Sequence, residues 1–397
     1  MQRWKAALIV AYVVMVSPAY AQTLPSGPIV FGDGRVAIGG DVSATFGSKD
    51  PMWFNYTDYD HSALRLLRVD VSAIVHAGPH FSVLGEIRTE NDQRPEPYAL
   101  YLRIRPWMAH DFDVQIGRVP PTFGAFARRS YPNDNPLIGY PLAYQYLTTL
   151  RPDSVPASAD ELMRRKGFGW LVRFSYGDQT PANGVPLVNA FRWDTGVQVH
   201  ASKGIVSATA SVTNGTMSHP VFTDDNNGRQ LATRVELRPV TGLIVASSFA
   251  RGPFVTEIAS RGAVGDGHDR EFTQTGWGAD AEYSRGHYLL RYEAVVSTWR
   301  VPILPSLRAI ATSAEGRYTL MPGLYVAARI DRLGFSDITG ATATASWDAP
   351  VSRVEVGTGL SIQRNLLLKI AYQHDRRDGG RLTGTDHLGA AQLVFWF

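Results

Sequence analysis

Five stretches of this chain set charge against hydrocarbon one residue at a time. Arg234, Glu236 and Arg238 alternate with Val235 and Leu237; Arg291 and Glu293 with Leu290, Tyr292 and Ala294. Arg329 and Asp331 alternate with Val326, Ala328 and Ile330; Arg353 and Glu355 with Val354 and Val356; Lys369 and Gln373 with Leu368, Ile370 and Tyr372. A period of two is the signature of a strand whose faces meet different surroundings. One face here meets hydrocarbon. The other must be wet, because a dry core does not tolerate single charges at every second position.

The same rhythm recurs along the chain with turns between. Arg35–Phe46, Leu64–Val75, Phe81–Thr89, Tyr98–Arg105 and Phe112–Arg118 read as strands in the first half. In the fourth of these, Tyr98, Leu100, Leu102 and Ile104 share one side. The second half adds Phe168–Tyr176, Ala190–His200, Ile205–Thr213, Leu231–Pro239 and Leu243–Ala250. Gln274–Ser284, Tyr288–Thr298, Leu307–Leu320, Leu324–Leu333, Val351–Gln363, Leu366–His374 and Asp386–Phe397 follow. Their connections alternate in length. Ser202-Lys203-Gly204, Val240-Thr241-Gly242, Arg285-Gly286-His287, Met321-Pro322-Gly323 and Arg364-Asn365 are tight; 214–229, 252–272, 334–350 and 375–385 are long and polar. A soluble sandwich has no reason to alternate loop length in this way. After the first 21 residues no run of about 18 apolar residues exists, so a helical span is not available. A closed sheet is the other way to pair every backbone group in lipid. The fold class expected is therefore all-β: a transmembrane antiparallel β-barrel of about 16–18 strands, with short turns at one end and long loops at the other.

Both chain ends agree. Arg3 and Lys5 precede an apolar run, Ala6–Val16, and Ala19-Tyr20-Ala21 forms a small-residue cleavage site before Gln22. This reads as a signal peptide, 1–21, rather than a short anchor, leaving 22–397 as one barrel domain. At the other end, Leu393, Phe395 and Phe397 fall on one face of a last strand that stops on an aromatic. Three such residues on a soluble domain invite aggregation, whereas at a lipid interface they form part of a girdle. This tail resembles the closing strand of Gram-negative outer-membrane β-barrels, in which Leu393, Phe395 and Phe397 would serve as the signal read by the barrel-assembly machinery. The chain as a whole resembles the porin superfamily and is broadly similar to its phosphate- and polyphosphate-selective members. That resemblance implies export to the outer membrane of a Gram-negative bacterium, contact with outer-membrane lipid, short periplasmic turns and long extracellular loops. It also implies a channel for passive diffusion of small hydrophilic solutes.

In such a barrel the charged set faces the lumen, since Arg on the lipid face at mid-bilayer costs roughly 2–4 kcal/mol. Arg234, Glu236, Arg238, Arg291, Glu293, Arg329, Asp331, Arg353 and Glu355 are thus the lumen candidates. Strand direction adds a constraint. Counted from either end, Phe112–Arg118 and Phe168–Tyr176 both run outward, so one further crossing is expected between them, around Leu142–Leu150. With it the barrel has 18 strands, and without it about 16.

The stretch 119–167 is the least barrel-like. Pro120, Pro121, Pro132, Pro136 and Pro141 bar regular pairing, yet Phe123, Phe126, Tyr131, Tyr140, Tyr144 and Tyr146 make it unlike a floppy tether. An ordered long loop of this kind is often functional. In porins such a loop folds into the lumen and narrows it. Arg118, Arg128, Arg129 and Arg151, with Asp134 and Asp153 as counter-charges, are then the constriction candidates, and a ring of Arg would favour anions. The competing reading is a loop packed over the outer rim with its Arg residues in solvent. Residues 158–165 place acids before bases, as a short capped helix does.

Other function classes fare poorly. Without the signal peptide the chain carries 39 − 2 = 37 basic and 36 acidic residues, which is no nucleic-acid footprint. There is no Cys, no zinc motif and no nucleophile elbow, so no enzyme, cofactor or metal is expected. His374, Asp375 and His387 are neighbours without a catalytic pattern. Asp224-Asp225-Asn226-Asn227-Gly228 lacks the closing Glu of a calcium loop and reads as an Asx turn. The alternative function is a barrel that sheathes a periplasmic partner such as a multihaem cytochrome. Assembly as a homotrimer or with such a partner is left open by the sequence.

Overall fold

The computed structural model describes residues 25, 27–57, 61–91, 93–379 and 383–397. The expected signal peptide lies outside them. Sixteen long strands close into one antiparallel barrel: β1 (Val36–Gly47), β2 (Leu67–His76), β3 (Phe81–Glu90), β4 (Glu96–Ile104), β5 (Asp111–Val119), β6 (Asp194–Lys203), β7 (Val206–Thr213) and β8 (Gln230–Val240), then β9 (Leu243–Pro253), β10 (Thr273–Arg285), β11 (Tyr288–Arg300), β12 (Leu307–Met321), β13 (Leu324–Phe335), β14 (Val351–Gln363), β15 (Leu366–Arg377) and β16 (Gly384–Trp396). Each pairs with the next, and β16 pairs with β1, so no edge is left open. Even-numbered strands are joined to the following ones by tight turns, such as 241–242 and 322–323. The opposite rim carries the long connections.

The seam where the ends meet is shared. β16 covers β1 from Asp41 to Gly47, and the short strand Ile29–Phe31 covers Val36–Ile38 on the same edge. Phe397 exchanges two backbone hydrogen bonds with Gly40, at 3.0 and 3.1 Å. Gly40 has no room for a side chain, because a Cβ there would sit 2.7 Å from the Phe397 ring. Leu at this position is expected to cost about 1–3 kcal/mol by overpacking. The measurement is the unfolding midpoint of the detergent-folded barrel; an unchanged midpoint would mean the aromatic end does not close the seam.

The alternation seen in the sequence maps onto two faces. Val235, Leu237, Leu290, Tyr292, Val326, Ile330, Val354, Val356, Ile370 and Tyr372 are exposed on the outside, while Arg234, Glu293, Arg329, Asp331, Arg353 and Glu355 are buried on the other side. The outward apolar stretch of β11 runs from Tyr288 through Val296 before giving way to Thr298 and Arg300. Nine residues at about 3.4 Å each, tilted by about 40°, make a band roughly 23 Å tall. That fits the hydrocarbon thickness a barrel must match. Arg251, Arg300, Arg308, Arg332 and Arg376 edge the band at the long-loop rim.

Two expectations are corrected. Phe168–Tyr176 is not a barrel strand, and no crossing exists at Leu142–Leu150. The strand-direction conflict is removed by losing one strand rather than gaining one. Phe168–Tyr176 alternates as a strand does, but it lies inside the barrel and its partners are local: Val172 bridges Ala182, and Tyr176–Gly177 pairs with Ser154–Val155. Leu142–Gln145 is a single buried helical turn, α1. The intervening segment accordingly runs from 120 to 193, longer than 119–167. Within it helix α2 (Ala159–Arg164) is capped by Ser158, which accepts from the Glu161 N–H, as the order of charges implies. Tyr98 is the third departure. A bulge sets Ala99 opposite Glu86 and Pro97 opposite Ile87, so Tyr98 turns inward and away from Leu100.

Candidate channel constriction

The segment 120–193 leaves β5 and enters β6 at the long-loop rim. Between those points it hydrogen-bonds to strands all around the wall. Arg68 of β2 donates to the Ser130 carbonyl at 3.3 Å, and Tyr131 donates to Glu86 of β3 at 2.7 Å. Thr122 bonds Ser211 of β7 at 2.8 Å, and the Gly124 N–H donates to Ser248 of β9 at 3.2 Å. Glu293 of β11 accepts from the Ala125 N–H and the Tyr144 hydroxyl at 2.8 and 2.6 Å. Tyr325 of β13 reaches the Pro136 carbonyl, Glu355 of β14 accepts from the Gly139 N–H, and Lys369 of β15 donates to the Pro132 carbonyl. A segment that touches opposite walls of a closed barrel occupies its interior.

Hydrophobic burial holds this inner body together. Phe126, Tyr140, Tyr144 and Phe191 form a chain of ring contacts with centroids 4.7–5.7 Å apart, and Leu162, Val172, Leu187 and Ala190 are fully buried. The long loops pin it from above. Asp348, in the 336–350 loop, accepts from the N–H groups of Thr149 and Gly167, both at 2.8 Å. Gly139 shows how close the inner body lies to the wall, since a Cβ there would collide with Gln373 and Glu355.

Register decides what the wall charges do. Arg291 sits directly opposite both Glu282 and Glu315; Glu315 is opposite Arg329, and Arg329 opposite Glu355. The result is a row of alternating sign across β10–β14, with N–O separations of 2.8, 3.2, 3.3 and 2.6 Å. A second row links Arg353 to Asp375 at 2.6 Å, while the two Nη atoms of Arg353 donate to the Tyr140 and Phe54 carbonyls. Arg234 makes a forked pair with Asp280. The planar guanidinium suits this double duty of pairing one carboxylate and capping a carbonyl. Glu236 pairs with Arg234 and with Arg238, which is exposed near the short-turn end. Most of these wall charges therefore cancel one another or hold the inner body.

The six constriction candidates are not brought together. Arg118 stands opposite the exposed Leu100 and Thr195, reaches the Pro97 and Trp193 carbonyls and lies over the exposed Phe222 ring. It belongs to the outer face at the rim, because the period-two pattern of β5 turns it there. Arg151 is buried within the inner body, forked onto Asp153 and capping the Val172 and Thr180 carbonyls. Arg129 is half-buried and paired with Glu282 at 3.0 Å. Arg128 differs. The residue is exposed, and among the described residues its guanidinium hydrogen-bonds the neutral Pro121 carbonyl and Thr209 hydroxyl, at 3.2 and 3.3 Å. Desolvation and then Arg234 lower its pKa to about 10, and desolvation and Arg291 lower Arg129 as well. At neutral pH Arg128 stays charged. Asp134 is exposed on the same inner body, and partial desolvation raises its carboxyl above the usual range. Sequence reasoning missed Arg317, which projects inward over the Tyr325 ring at 5.6 Å. Its position in an alternating strand was the available signal.

No catalytic arrangement forms from the His residues noted in the sequence. His374 and His387 face each other on the outer surface, while Asp375, one residue on, points inward to Arg353. Asn226 accepts from the Gly228 N–H at 2.9 Å, the geometry of an Asx turn.

No family model and no curated protein matches this sequence. Solved structures do match. OmpT, an outer membrane protein of Vibrio cholerae, superposes with a TM-score of 0.57 at 10% identity, covering 93% of this chain and 99% of that one; it is also known in a trimer form. Salmonella typhi OmpF, in complex with daunomycin, gives 0.55 at 12%, covering 93% and 100%. The outer membrane channel DcaP of Acinetobacter baumannii gives 0.53 at 10%, covering 94% and 100%. At these identities the likeness shows a shared fold: the porin-type barrel.

Proposed function

We propose that this chain is an outer-membrane porin, a non-enzymatic channel for passive diffusion of small hydrophilic solutes. It is exported by residues 1–21, inserted with its short turns in the periplasm, and given a modest anion preference by Arg128. The observation that carries this reading is the inner body of residues 120–193, which narrows a charge-lined barrel and holds Arg128, exposed and, among the described residues, without a carboxylate ion pair. The same observation speaks against a sheath around a periplasmic cytochrome, because the chain fills its own lumen. The trimer form of OmpT supports a homotrimer here. The expected result in planar bilayers is stepwise conductance from the purified protein; current that never rises in steps would sink the proposal.

Asp134 supplies a pH dependence. Its raised pKa means that it takes up a proton at a higher pH than an ordinary carboxylate. Losing that negative charge leaves Arg291, Arg129 and Lys369, the cations that face it, less opposed. Lowering the pH from about 7 to about 4 is therefore expected to strengthen chloride preference. Asp134→Asn should show the stronger preference already at neutral pH, and an identical pH response in the variant would clear Asp134 of the role.

A further inference from the structure

Three connections meet at the long-loop mouth around a cavity of about 680 Å³, lined by Trp53, Tyr56, Trp170, Asn183 and His219 among others. Trp53 and Trp170 are stacked, with centroids 5.3 Å apart and planes 10° from parallel, and Tyr56 stands edge-on to Trp53 at 5.1 Å. Trp53 keeps 40% of its surface exposed. Its backbone lies in the left-handed region at φ 61°, which is a strained place for a bulky residue and marks positions held for a purpose. The holding is visible. Asp50 accepts from the Trp53 N–H through its carbonyl and from the N–H groups of Phe54 and Asn55 through its carboxylate. Asn55 then bonds Gln373 of β15 at 3.0 Å, and Arg353 caps the Phe54 carbonyl. The ring thus projects from a loop tied to the rigid wall.

From this geometry we infer that the Trp53–Trp170 platform binds neutral saccharides at the mouth of the channel, ahead of the narrowing. A pyranose ring has an apolar face for an aromatic plane and hydroxyls at its rim, and the lining supplies both kinds of surface. Of the charged groups around the cavity, Asp153 is forked by Arg151 and His219 lies 3.6 Å from Asp225, while Arg192 also lines it and offers N–H donors suited to hydroxyls. The inference rests on the channel reading and names the solute class it would favour.

The test is calorimetric titration of the detergent-folded full chain with maltotriose, and with sodium benzoate as a flat aromatic anion. Saturable maltotriose binding is expected, weakened about tenfold in Trp53→Ala and less in Trp53→Phe, which retains an aromatic face. KCl conductance should be unchanged in both variants. No saturable heat up to about 100 mM sugar, equal affinity in Trp53→Ala, or tighter binding of benzoate than of maltotriose would each overturn the inference. A failure of conductance would instead strike the channel reading, so the two failures are distinguishable.

Discussion

Arg128→Glu is expected to shift the bilayer reversal potential towards the cation potential, raising the cation-to-anion permeability ratio about fivefold. The estimate takes a permeant ion passing about 7 Å from the guanidinium, in water, with a Debye length of about 8 Å. Reversing one charge then changes the energy of each ion by about 0.5 kcal/mol, in opposite directions for potassium and chloride. Arg129→Glu alone should do less to the ratio, because Arg129 already faces Glu282 at 3.0 Å and its local field is largely compensated. The double variant should exceed Arg128→Glu only slightly. Equal shifts from the two single variants would refute the assignment of the preference to Arg128, and no shift from either would clear the inner body of any selectivity role. The effect should also shrink as salt is raised, since screening acts on an exposed charge.

Arg329→Met is expected to destabilise the barrel by about 3–5 kcal/mol, the cost of removing one partner from a buried ionic network. Three carboxylates depend on this side chain: Glu355 at 2.6 Å, Asp331 at 2.9 Å and Glu315 at 3.3 Å. All four residues are nearly inaccessible to solvent. Methionine matches the volume but leaves those carboxylates facing one another. Arg329→Lys should fall between the two, because a single ammonium cannot meet three partners at once. The measurement is the denaturant midpoint of unfolding in detergent. A loss below about 1 kcal/mol would mean that water enters the row and screens it as at a surface.

Reversing Arg128 and deleting Arg329 probe the two roles into which the wall and its inner body divide the Arg residues. Which residue takes which role was not legible from composition. Arg128 and Arg129 are adjacent in the chain and chemically identical. Only the register of β10 and β11 brings Glu282 to one of them. Arg151 and Asp153, expected to line the constriction as a cation and its counter-charge, pair with each other inside the packed segment instead. Arg118 followed the alternation of its strand to the outer face, a consequence that could have been read by extending the pattern of Phe112, Val114 and Ile116 by one step.

The sequence by itself determined the barrel, the alternation of short turns and long loops, and the lumen side of the charged rows. These follow from a period of two, which is local: each residue's face is set by its neighbours in the chain. The tertiary structure alone decided the count of sixteen strands, because Phe168–Tyr176 alternates as well as any wall strand and is distinguished only by what it packs against. It alone decided that residues 120–193 lie within the lumen. That placement rests on contacts such as Arg353 with Tyr140 and Glu293 with Tyr144, between residues far apart in the chain, and no local pattern encodes such a pairing.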